Sequence, residues 1–439
     1  MRLLSLLLTA MFLLGGIFSA EAAELYVHQE SGKNSNPGTK EQPFKNIQKA
    51  LDTAKDGDTI HVAAGNYCGI MDKGQIKLDK QVFLLGGYSP DFAARDILTH
   101  RTTIIPPNTV NTIRNGGVFM IDQGNREGKT LIDGFIFDQG ETNNYHAKDG
   151  KPEGVADGMF LIPPARDNSK AGPSAVMPIL AGSTSGEFTV SNCVFNNASN
   201  FGIQLAQGKG VFTARNNVFT ANRMAAVEVR GRLADTHAAK VNIIDNTVLF
   251  TWSRTKEMDD MGYGVRGMNG CDYVIQGNIM ALSIFSGYDN TRVDSNLKNQ
   301  KTVALDRNLF FLNKQADMTV PGGSMFTRVW VEKNFEDVPD LEVPTTKFTS
   351  VTGNVGLTTA EPLKNVLNIA YLEGFLSATY SEAASYDADS PANTFRRAMG
   401  MNQMGTIQSK VSMFANRYPL EDALKLFGAV QDFGAQLPK

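Results

Sequence analysis

A short phrase recurs along this chain: an asparagine or glycine before a strand, followed at once by apolar residues. It occurs six times, at residues 132–137, 191–195, 216–219, 245–250, 277–280 and 307–310. Counted from Asn192, the successive steps to Asn216, Asn246, Asn278 and Asn308 are 24, 30, 32 and 30 residues. A repeat of this length is typical of a solenoid, in which one coil follows another.

Stacking of equivalent residues explains why an asparagine returns in every coil. In a parallel solenoid, an inward asparagine can pass amide hydrogen bonds up the stack while its apolar neighbours fill the interior. Asparagine before a strand is also an ordinary turn residue, but the same apolar spacing accompanies it each time. The phrase therefore predicts an all-β parallel β-helix in which these five asparagines point inward near one corner.

The N-terminus has the pattern of a secretory signal peptide. A basic start at Met1-Arg2 precedes an apolar run over residues 3–18 and the small-residue segment 19–23. We predict that residues 1–23 are the signal peptide, that the mature chain begins near Ala23 or Glu24, and that the protein is secreted or periplasmic. No later stretch is apolar enough to predict a transmembrane segment, and a formal net charge of -3 does not favour nucleic acid as a partner.

Three cysteines, Cys68, Cys193 and Cys271, are too few for a disulfide framework in a chain of 439 residues. Cys193 lies inside a recurring phrase, so we expect it to be a small core residue. Whether Cys68 pairs with Cys271 is left open by the sequence.

Residues 24–74 predict an N-terminal cap. A strand over 25–28 precedes a helical pattern through Ile47, Ala50, Leu51 and Ala54, and a second strand follows over 59–62. Such a helix closes the open end of a solenoid, where the first coil otherwise leaves its core and strand edge bare.

The order of residues in this cap closely resembles the opening of pectate-lyase-like right-handed parallel β-helix proteins. The resemblance rests on Tyr26-Val27, Ser31-Gly32, Asn36-Pro37-Gly38-Thr39, Pro43-Phe44, Ile47, Ala50-Leu51, Gly57-Asp58-Thr59-Ile60 and Gly65-Asn66-Tyr67, and continues at residues 85–92. Family 9 polysaccharide lyases and many uncharacterised exported proteins share this opening. It covers about the first hundred residues, and it implies fold and export rather than a particular chemistry.

The predicted coils run over residues 75–356. Two polar stretches, 140–157 and 163–174, interrupt the rhythm, and we expect them to be loops that wall a groove beside a strand face. Beyond residue 356 the apolar residues take helical spacing, which predicts a mostly helical C-terminal cap or appendage over 357–439.

When the coils are aligned on their asparagines, a second set of short strands comes into register. These strands are predicted over residues 201–205, 225–230 and 263–267. Alternate side chains of a strand face outward, so one surface is expected to gather Gln204, Glu228, Arg230 and Arg266. The segment just before the third of these strands adds Arg254, Lys256, Asp259 and Asp260.

These residue types suit β-elimination on a uronic-acid polymer, in which the sugar carboxylate is neutralised so that the C5 proton can be removed. Asp259 and Asp260 are candidate Ca²⁺ ligands. The candidate catalytic residues are Arg230, Arg266 and Lys256, any of which could act as the base. The candidate substrate-binding residues are Gln204, Glu228 and Arg254. Return of the proton from the other face would make the protein an epimerase.

The resemblance also limits this hypothesis. A family 9 lyase is expected to carry a calcium site of several aspartates and a catalytic lysine, of which only Asp259, Asp260 and Lys256 have counterparts here. The Gly-His-Gly phrase of polygalacturonase-like hydrolases and the Asp-Pro-His-Asp phrase of alginate epimerases are both missing. A hydrolase using Glu228 with Asp259 or Asp260 would need a defined carboxyl separation.

The leading prediction is therefore a lyase or C5-epimerase acting on a uronic-acid-containing polysaccharide. The alternative is a non-catalytic carbohydrate-binding, export or surface structural solenoid, whose charged residues form a solvated ion-pair face.

Overall fold

The computed structural model describes residues 22–69, 75–105, 118–139, 179–198, 200–232, 239–252, 262–268, 270–290, 301–313, 316–321, 328–331, 346–357, 361–379 and 417–438. The strands of the first half are β1 (Glu24–Val27), β2 (Thr59–Ala63), β3 (Gly65–Tyr67), β4 (Ile76–Leu78), β5 (Phe83–Tyr88), β6 (Thr102–Ile104), β7 (Phe119–Asp122), β8 (Lys129–Asp133), β9 (Ile136–Asp138), β10 (Leu180–Ser191), β11 (Val194–Asn196), β12 (Ile203–Arg215) and β13 (Val218–Thr220).

The strands of the second half are β14 (Ala225–Gly231), β15 (Ala239–Ile244), β16 (Thr247–Leu249), β17 (Tyr263–Gly267), β18 (Cys271–Gln276), β19 (Ile279–Ala281), β20 (Ser286–Asn290), β21 (Lys301–Asp306), β22 (Leu309–Phe311), β23 (Ala316–Pro321), β24 (Arg328–Val331), β25 (Thr346–Thr352) and β26 (Val355–Leu357). The helices are α1 (Ile47–Thr53), a 3₁₀ turn (Glu361–Leu363), α2 (Ile369–Thr379) and α3 (Leu420–Leu424).

The strands form one sheet of 17 strands and one of nine. The larger sheet has two columns of pairings. Column A joins β1, β2, β5, β8, β10, β12, β15, β18, β21 and β25. Column B joins β4, β7, β10, β12, β14, β17, β20 and β23. The long strands β10 and β12 pass through both columns.

From the coil that begins with β4 onward, each coil crosses column B, then column A, then the nine-stranded sheet, as β14, β15 and β16 do. All the described strand pairs are parallel except β23 with β24. The chain is therefore a right-handed parallel β-helix with an N-terminal helical cap and a partly helical C-terminal segment, which confirms the predicted fold class. The nine strands of the small sheet correspond to nine coils within the described residues.

The interior is built from alternate residues of each strand. In β15, Val241 and Ile243 are buried in the core, whereas Lys240 and Asn242 lie on the outer side. Along the inner side of the small sheet, Phe195 stacks between Phe137 and Phe219 with ring centroids 4.9 and 4.7 Å apart. Coil stacking thus places like side chains over one another, the arrangement from which a solenoid derives its core.

An asparagine ladder runs through the corner between column A and the small sheet. The side-chain nitrogen of Asn217 donates to Oδ1 of Asn246 at 3.0 Å. Asn246 donates in the same way to Asn278 at 3.0 Å, and Asn278 to Asn308 at 2.9 Å. Asn308 continues the ladder to Asn354 at 2.9 Å. All but Asn354 are buried.

The prediction of inward asparagines is confirmed for Asn246, Asn278 and Asn308 and is wrong for Asn192 and Asn216. These two lie one position earlier, with φ of 53° and 55°, and their side chains are only partly buried. Left-handed backbone favours asparagine as well as glycine. In these two coils an asparagine therefore occupies the turn residue that precedes the ladder position. The ladder positions of those two coils are held by Cys193 and Asn217.

A second polar ladder runs through the next corner, where the small sheet leads back to column B. Asn222 accepts the backbone N–H of Ala198 at 3.0 Å on its side-chain oxygen. Three coils further on, Asn313 accepts the N–H of Ser283 at 3.0 Å. Both asparagines satisfy backbone groups that would otherwise be buried without partners.

The first coil is closed by α1, whose residues Ile47, Ala50 and Leu51 are buried against the first strands. This is the helix that the sequence predicted for the cap. The exact domain bounds, at residues 24, 75 and 357, stay predictions.

The C-terminal segment packs against the outer face of the small sheet. The backbone N–H of Ala435 donates to Oγ1 of Thr247 at 2.9 Å, and that of Tyr418 donates to Oδ1 of Asn197 at 2.8 Å. A second hydrophobic cluster unites outward residues of the small sheet, such as Val218 and Leu249, with residues of the C-terminal helices. The segment therefore covers an apolar sheet face.

All three cysteines are free thiols; Cys193 and Cys271 are buried and Cys68 is exposed. Cys68 and Cys271 therefore do not form a disulfide, and Cys193 is the core residue that the sequence predicted. Among the described helices, none is long and apolar enough to cross a membrane. The predicted signal peptide and both predicted loops, 140–157 and 163–174, lie outside the described residues apart from Ala22 and Ala23.

Candidate functional site

Column B carries a row of polar side chains on its outer face. The strand register aligns Gln204, Glu228, Arg266, Asp289 and Thr319 across β12, β14, β17, β20 and β23. Their immediate neighbours along each strand, among them Val227, Val265 and Tyr288, are part of the central core. Because successive side chains of a strand point to opposite faces, the polar row faces away from the core.

The polar row is a continuous chain of hydrogen bonds and ion pairs. Nε2 of Gln204 donates to Oε1 of Glu228 at 3.0 Å, and Nη1 of Arg266 donates to Oε2 of Glu228 at 2.9 Å. Nε of Arg266 lies 3.4 Å from Oδ2 of Asp289. The Thr319 hydroxyl donates to Oδ1 of Asp289 at 2.7 Å. One guanidinium therefore joins two carboxylates across three coils.

The centre of the polar row is buried although it faces outward. Glu228 is 4% exposed, Asp289 is fully buried, and the side chain of Arg266 is 16% exposed. Burial alone would lower the pKa of Arg266, but the charges of Asp289 and Glu228 outweigh burial and raise it. The guanidinium also lies over the ring of Tyr263, 5.3 Å from its centroid. Such a firmly protonated group is a poor proton acceptor, so its geometry suits charge stabilisation and positioning.

Arg230 differs from Arg266 in having no side-chain partner among the described residues, and we call it uncommitted for that reason. It lies on the same strand as Glu228, two residues further on, and is exposed. Within the described part of the chain it makes no hydrogen bond or ion pair. Its guanidinium is therefore available to an anionic group in solution.

The structure thus brings together four of the predicted site residues, Gln204, Glu228, Arg230 and Arg266, on one face of column B. The other four, Arg254, Lys256, Asp259 and Asp260, lie in the segment 253–261, outside the described residues. The catalytic, substrate-binding and metal-binding roles assigned to all eight stay predictions.

The described residues provide no calcium site at the polar row. Over the described ranges, no group of three or more His, Cys, Asp or Glu side chains is placed to hold a metal ion. Both carboxylates of the row are already engaged by Arg266. The assignment of Asp259 and Asp260 as calcium ligands stays a prediction, because both lie outside the described residues.

Sequence reasoning missed Asp289 and Thr319, and the ladder supplies the signal that could have found them. Gln204 follows Cys193 by 11 residues, and Glu228 follows Asn217 by 11. Asp289 and Thr319 follow Asn278 and Asn308 by the same 11 residues. Only Arg266 breaks the spacing, because the segment 253–261 adds nine residues to its coil.

Three solved structures with a similar fold are distant in sequence. A rhamnogalacturonan lyase is 11% identical, with a TM-score of 0.35 over 71% of this chain and 80% of the lyase. A pectin methylesterase from Aspergillus niger is 14% identical, with a TM-score of 0.29 over 77% of this chain and 87% of the esterase. Pectate lyase Pel9A is 11% identical, with a TM-score of 0.35 over 95% of this chain and 97% of the lyase. At these scores the likeness carries no argument about function.

No curated protein matches the chain in sequence. Residues 30–335 match the sequence model of a family described as "Protein of unknown function (DUF1565)". This match spans more than half of the chain, so the protein belongs to the DUF1565 family.

Proposed function

We propose that the protein is exported and binds a uronic-acid-containing polysaccharide along the outer face of column B, where it acts as a lyase or C5-epimerase. The observation that carries this proposal is the polar row from Gln204 to Thr319, with the uncommitted guanidinium of Arg230 beside it. Function is argued from this site, because a β-helix hosts several unrelated activities.

The length of the face suits a polymer. Toward the N-terminus the same register position is held by Ala181, Met120 and Lys77, of which only Lys77 is charged. Strands stack at about 4.8 Å, so the eight strands of column B offer several adjacent positions to a chain of sugars. At the N-terminal end, Nζ of Lys77 lies 3.0 Å from Oδ2 of Asp122.

The two arginines have different roles in this proposal. Arg230 binds and neutralises the carboxylate of a uronic acid, which makes the C5 proton of that sugar more acidic. Arg266 is a fixed cation that holds Glu228 and Asp289 in place. Since Arg266 is a poor proton acceptor, Lys256 is the base that we propose for removal of the C5 proton.

The first step would be shared by the two reactions. The base takes the C5 proton, and the electron pair is delocalised into the neutralised carboxylate. In a lyase the C4–O bond then breaks, a C4–C5 double bond forms, and the leaving oxygen takes up a proton. In an epimerase a proton returns to C5 from the opposite face of the ring.

A second candidate function is binding without turnover. It is favoured by the hydrogen bonds and ion pairs within the polar row, because Glu228 and Asp289 already have protein partners. In that case Arg230 would hold the polymer, and the buried row would serve only to fix the face.

The test is to incubate the mature protein with polygalacturonate, alginate and a uronate-containing glycosaminoglycan. A lyase produces the ultraviolet absorbance of an unsaturated chain end, and an epimerase exchanges the C5 hydrogen with deuterated water. Affinity electrophoresis measures binding in the same series. Chelation of divalent cations, in parallel, tests the calcium prediction for Asp259 and Asp260.

Arg230→Ala should weaken binding about 10- to 100-fold, the loss expected for a hydrogen bond between charged groups. Arg215→Ala is the matched control, because Arg215 is an exposed arginine of β12 in column A. Binding without either chemical signal would select the second candidate function. Absence of binding to every polymer would reject the polysaccharide proposal.

A further inference from the structure

The strand that opens the solenoid is preceded by an unusual contact. The backbone nitrogen of Ala23, next to β1, donates to Oδ1 of Asp58 at 2.8 Å. The other carboxylate oxygen of Asp58 accepts the backbone N–H of Lys55 at 2.7 Å. On its other side, the carbonyl of Ala23 accepts the N–H of Thr59 at 2.9 Å. Ala23 is therefore fixed in the first coil by both of its backbone polar groups.

Asp58 is a buried carboxylate without a cation. It is 7% exposed, and within the described ranges no Lys, Arg or His side chain forms an ion pair with it. Two amide donors satisfy its oxygens but leave its charge uncompensated. Burying a charge is costly unless an opposite charge accompanies it, so the site favours a positive group at the position of the Ala23 nitrogen.

The sequence supplies a way to create that charge. Residues Ala20, Glu21 and Ala22 form the small-x-small pattern that precedes a signal-peptide cleavage site. Ala22 and Ala23, which flank the bond that follows this pattern, are both exposed. Cleavage of this bond turns the amide nitrogen of Ala23 into an α-ammonium group.

We propose that signal peptidase hydrolyses the bond between Ala22 and Ala23, and that the new N-terminal ammonium forms an ion pair with the buried carboxylate of Asp58 that holds the first strand in the solenoid. Water is the co-reactant: its oxygen becomes part of the Ala22 carboxylate, and its proton goes to the Ala23 amine, which is protonated near neutral pH. The inference rests on the export part of the proposed function. It makes no use of the polysaccharide site.

The geometry distinguishes this cleavage position from the neighbouring one. The sequence alone left Ala23 and Glu24 as alternative starts of the mature chain, and a signal peptide of residues 1–23 would leave Glu24 as the first residue. Glu24 pairs with Thr59 in the ladder of β1 with β2, and its side chain contacts His61. An ammonium on Glu24 would lie one residue away from Asp58, so only a chain beginning at Ala23 places its positive charge on that carboxylate.

The first test is the N-terminal sequence and intact mass of the protein secreted by a bacterial host from the full-length chain. We expect a start at Ala23 and the loss of 22 residues. Secretion with a start at any other residue would reject the ion pair and leave export intact. Retention of the uncleaved chain inside the cell would instead reject export, and with it the basis of the inference.

The second test measures the ammonium itself by NMR titration of the α-amino group in the mature protein. We expect its pKa to lie about one unit or more above the ordinary value of about 7.7 to 8.0, because Asp58 stabilises the charged form. Asp58→Asn should return it to the ordinary range. Glu24→Gln is the control for the neighbouring carboxylate, and His61 is the other titratable group beside it. An ordinary pKa in the unmodified protein would overturn the proposal.

A third measurement keeps the test decisive if Asp58→Asn fails to fold. Acetylation of Ala23 removes the positive charge and leaves every side chain unchanged. The amides of β1 should then exchange with solvent about tenfold faster, the change that a 1.4 kcal/mol loss of local stability produces. Equal exchange rates with and without the acetyl group would show that the ammonium does not hold the strand.

Discussion

The side-chain nitrogen of Asn246 lies 3.0 Å from Oδ1 of Asn278, and the same Oδ1 also accepts the backbone N–H of Asn246 at 2.9 Å. Each rung of the ladder thus satisfies both a side chain and a buried backbone group of the preceding coil. Asn246 in turn accepts from Asn217 at 3.0 Å and donates to the carbonyl of Ala214 at 2.9 Å. Replacing it removes partners on both sides.

We expect Asn246→Leu to lower the free energy of unfolding by about 1 to 3 kcal/mol, since the buried donors of Asn217 would lose their acceptor and the Oδ1 of Asn278 would lose a donor. Chemical denaturation measures the change. Asn242→Leu is the matched control, because Asn242 lies on the outer side of β15 and its amide makes only a 3.3 Å bond to Thr213. A ladder variant no less stable than this control would show that the ladder contributes little.

The register of the ladder shows which of its positions could be predicted from the sequence and why the others were assigned wrongly. The coil repeat, the parallel fold and three of the five ladder positions could be predicted, because the asparagines recur with the same apolar spacing. At Asn192 and Asn216 the pattern offered two neighbouring turn positions, and Asn216-Asn217 places asparagine at both. The sequence alone does not distinguish an asparagine whose amide points inward from one at a left-handed turn residue, since asparagine is favoured at both positions.

The three thiols should differ sharply in reactivity. Burial raises the pKa of Cys271 to about 12, and that of Cys193 further still. Because the thiolate is the nucleophile, iodoacetamide at neutral pH should label the exposed Cys68 and leave the other two unmodified. Peptide mass spectrometry of the native protein measures this, with the denatured protein as the positive control for all three. Labelling of Cys193 in the native protein would contradict its burial in the core.

The C-terminal helix α2 is joined to the coils by a buried hydrogen bond. Nε1 of Trp252, which is 1% exposed, donates to the hydroxyl of Tyr371 at 3.0 Å. Tyr371→Phe keeps the ring and removes this acceptor, so we expect a loss of about 1 to 2 kcal/mol in unfolding free energy. Thermal denaturation with tryptophan fluorescence as the probe measures it.

Glu421→Gln is the comparison for that prediction. It weakens the ion pair between Glu421 and Arg101, which also links the C-terminal segment to the coils. That pair is exposed, so the change should cost less than about 1 kcal/mol. The reverse order, with the exposed pair mattering more than the buried bond, would contradict this account of the packing.

The polar row was only partly predictable. Gln204, Glu228, Arg230 and Arg266 could be placed on one face because three short strands followed the ladder phrase. The strand of Asp289 reads Ser-Gly-Tyr-Asp-Asn, with a single inward apolar residue, so hydrophobic periodicity gives it almost no signal. Its fixed distance of 11 residues from Asn278 identifies it once the ladder is correctly aligned.

Arg266 is the residue on which the polar row depends, since its guanidinium lies between two carboxylates that are buried or nearly so. Arg266→Met keeps much of the side-chain volume but leaves Glu228 and Asp289 without their cation. At neutral pH we expect a loss of about 3 to 5 kcal/mol, the cost of breaking a buried ion pair by removing one partner.

Removal of the two carboxylate charges identifies the cause of this loss. Adding Glu228→Gln and Asp289→Asn to Arg266→Met leaves no unpaired buried charge in the polar row and should restore stability at neutral pH. Denaturation curves of the unmodified protein, of Arg266→Met and of the triple variant measure the effect. A triple variant no more stable than Arg266→Met would mean that lost packing, not unpaired charge, destabilises the single variant.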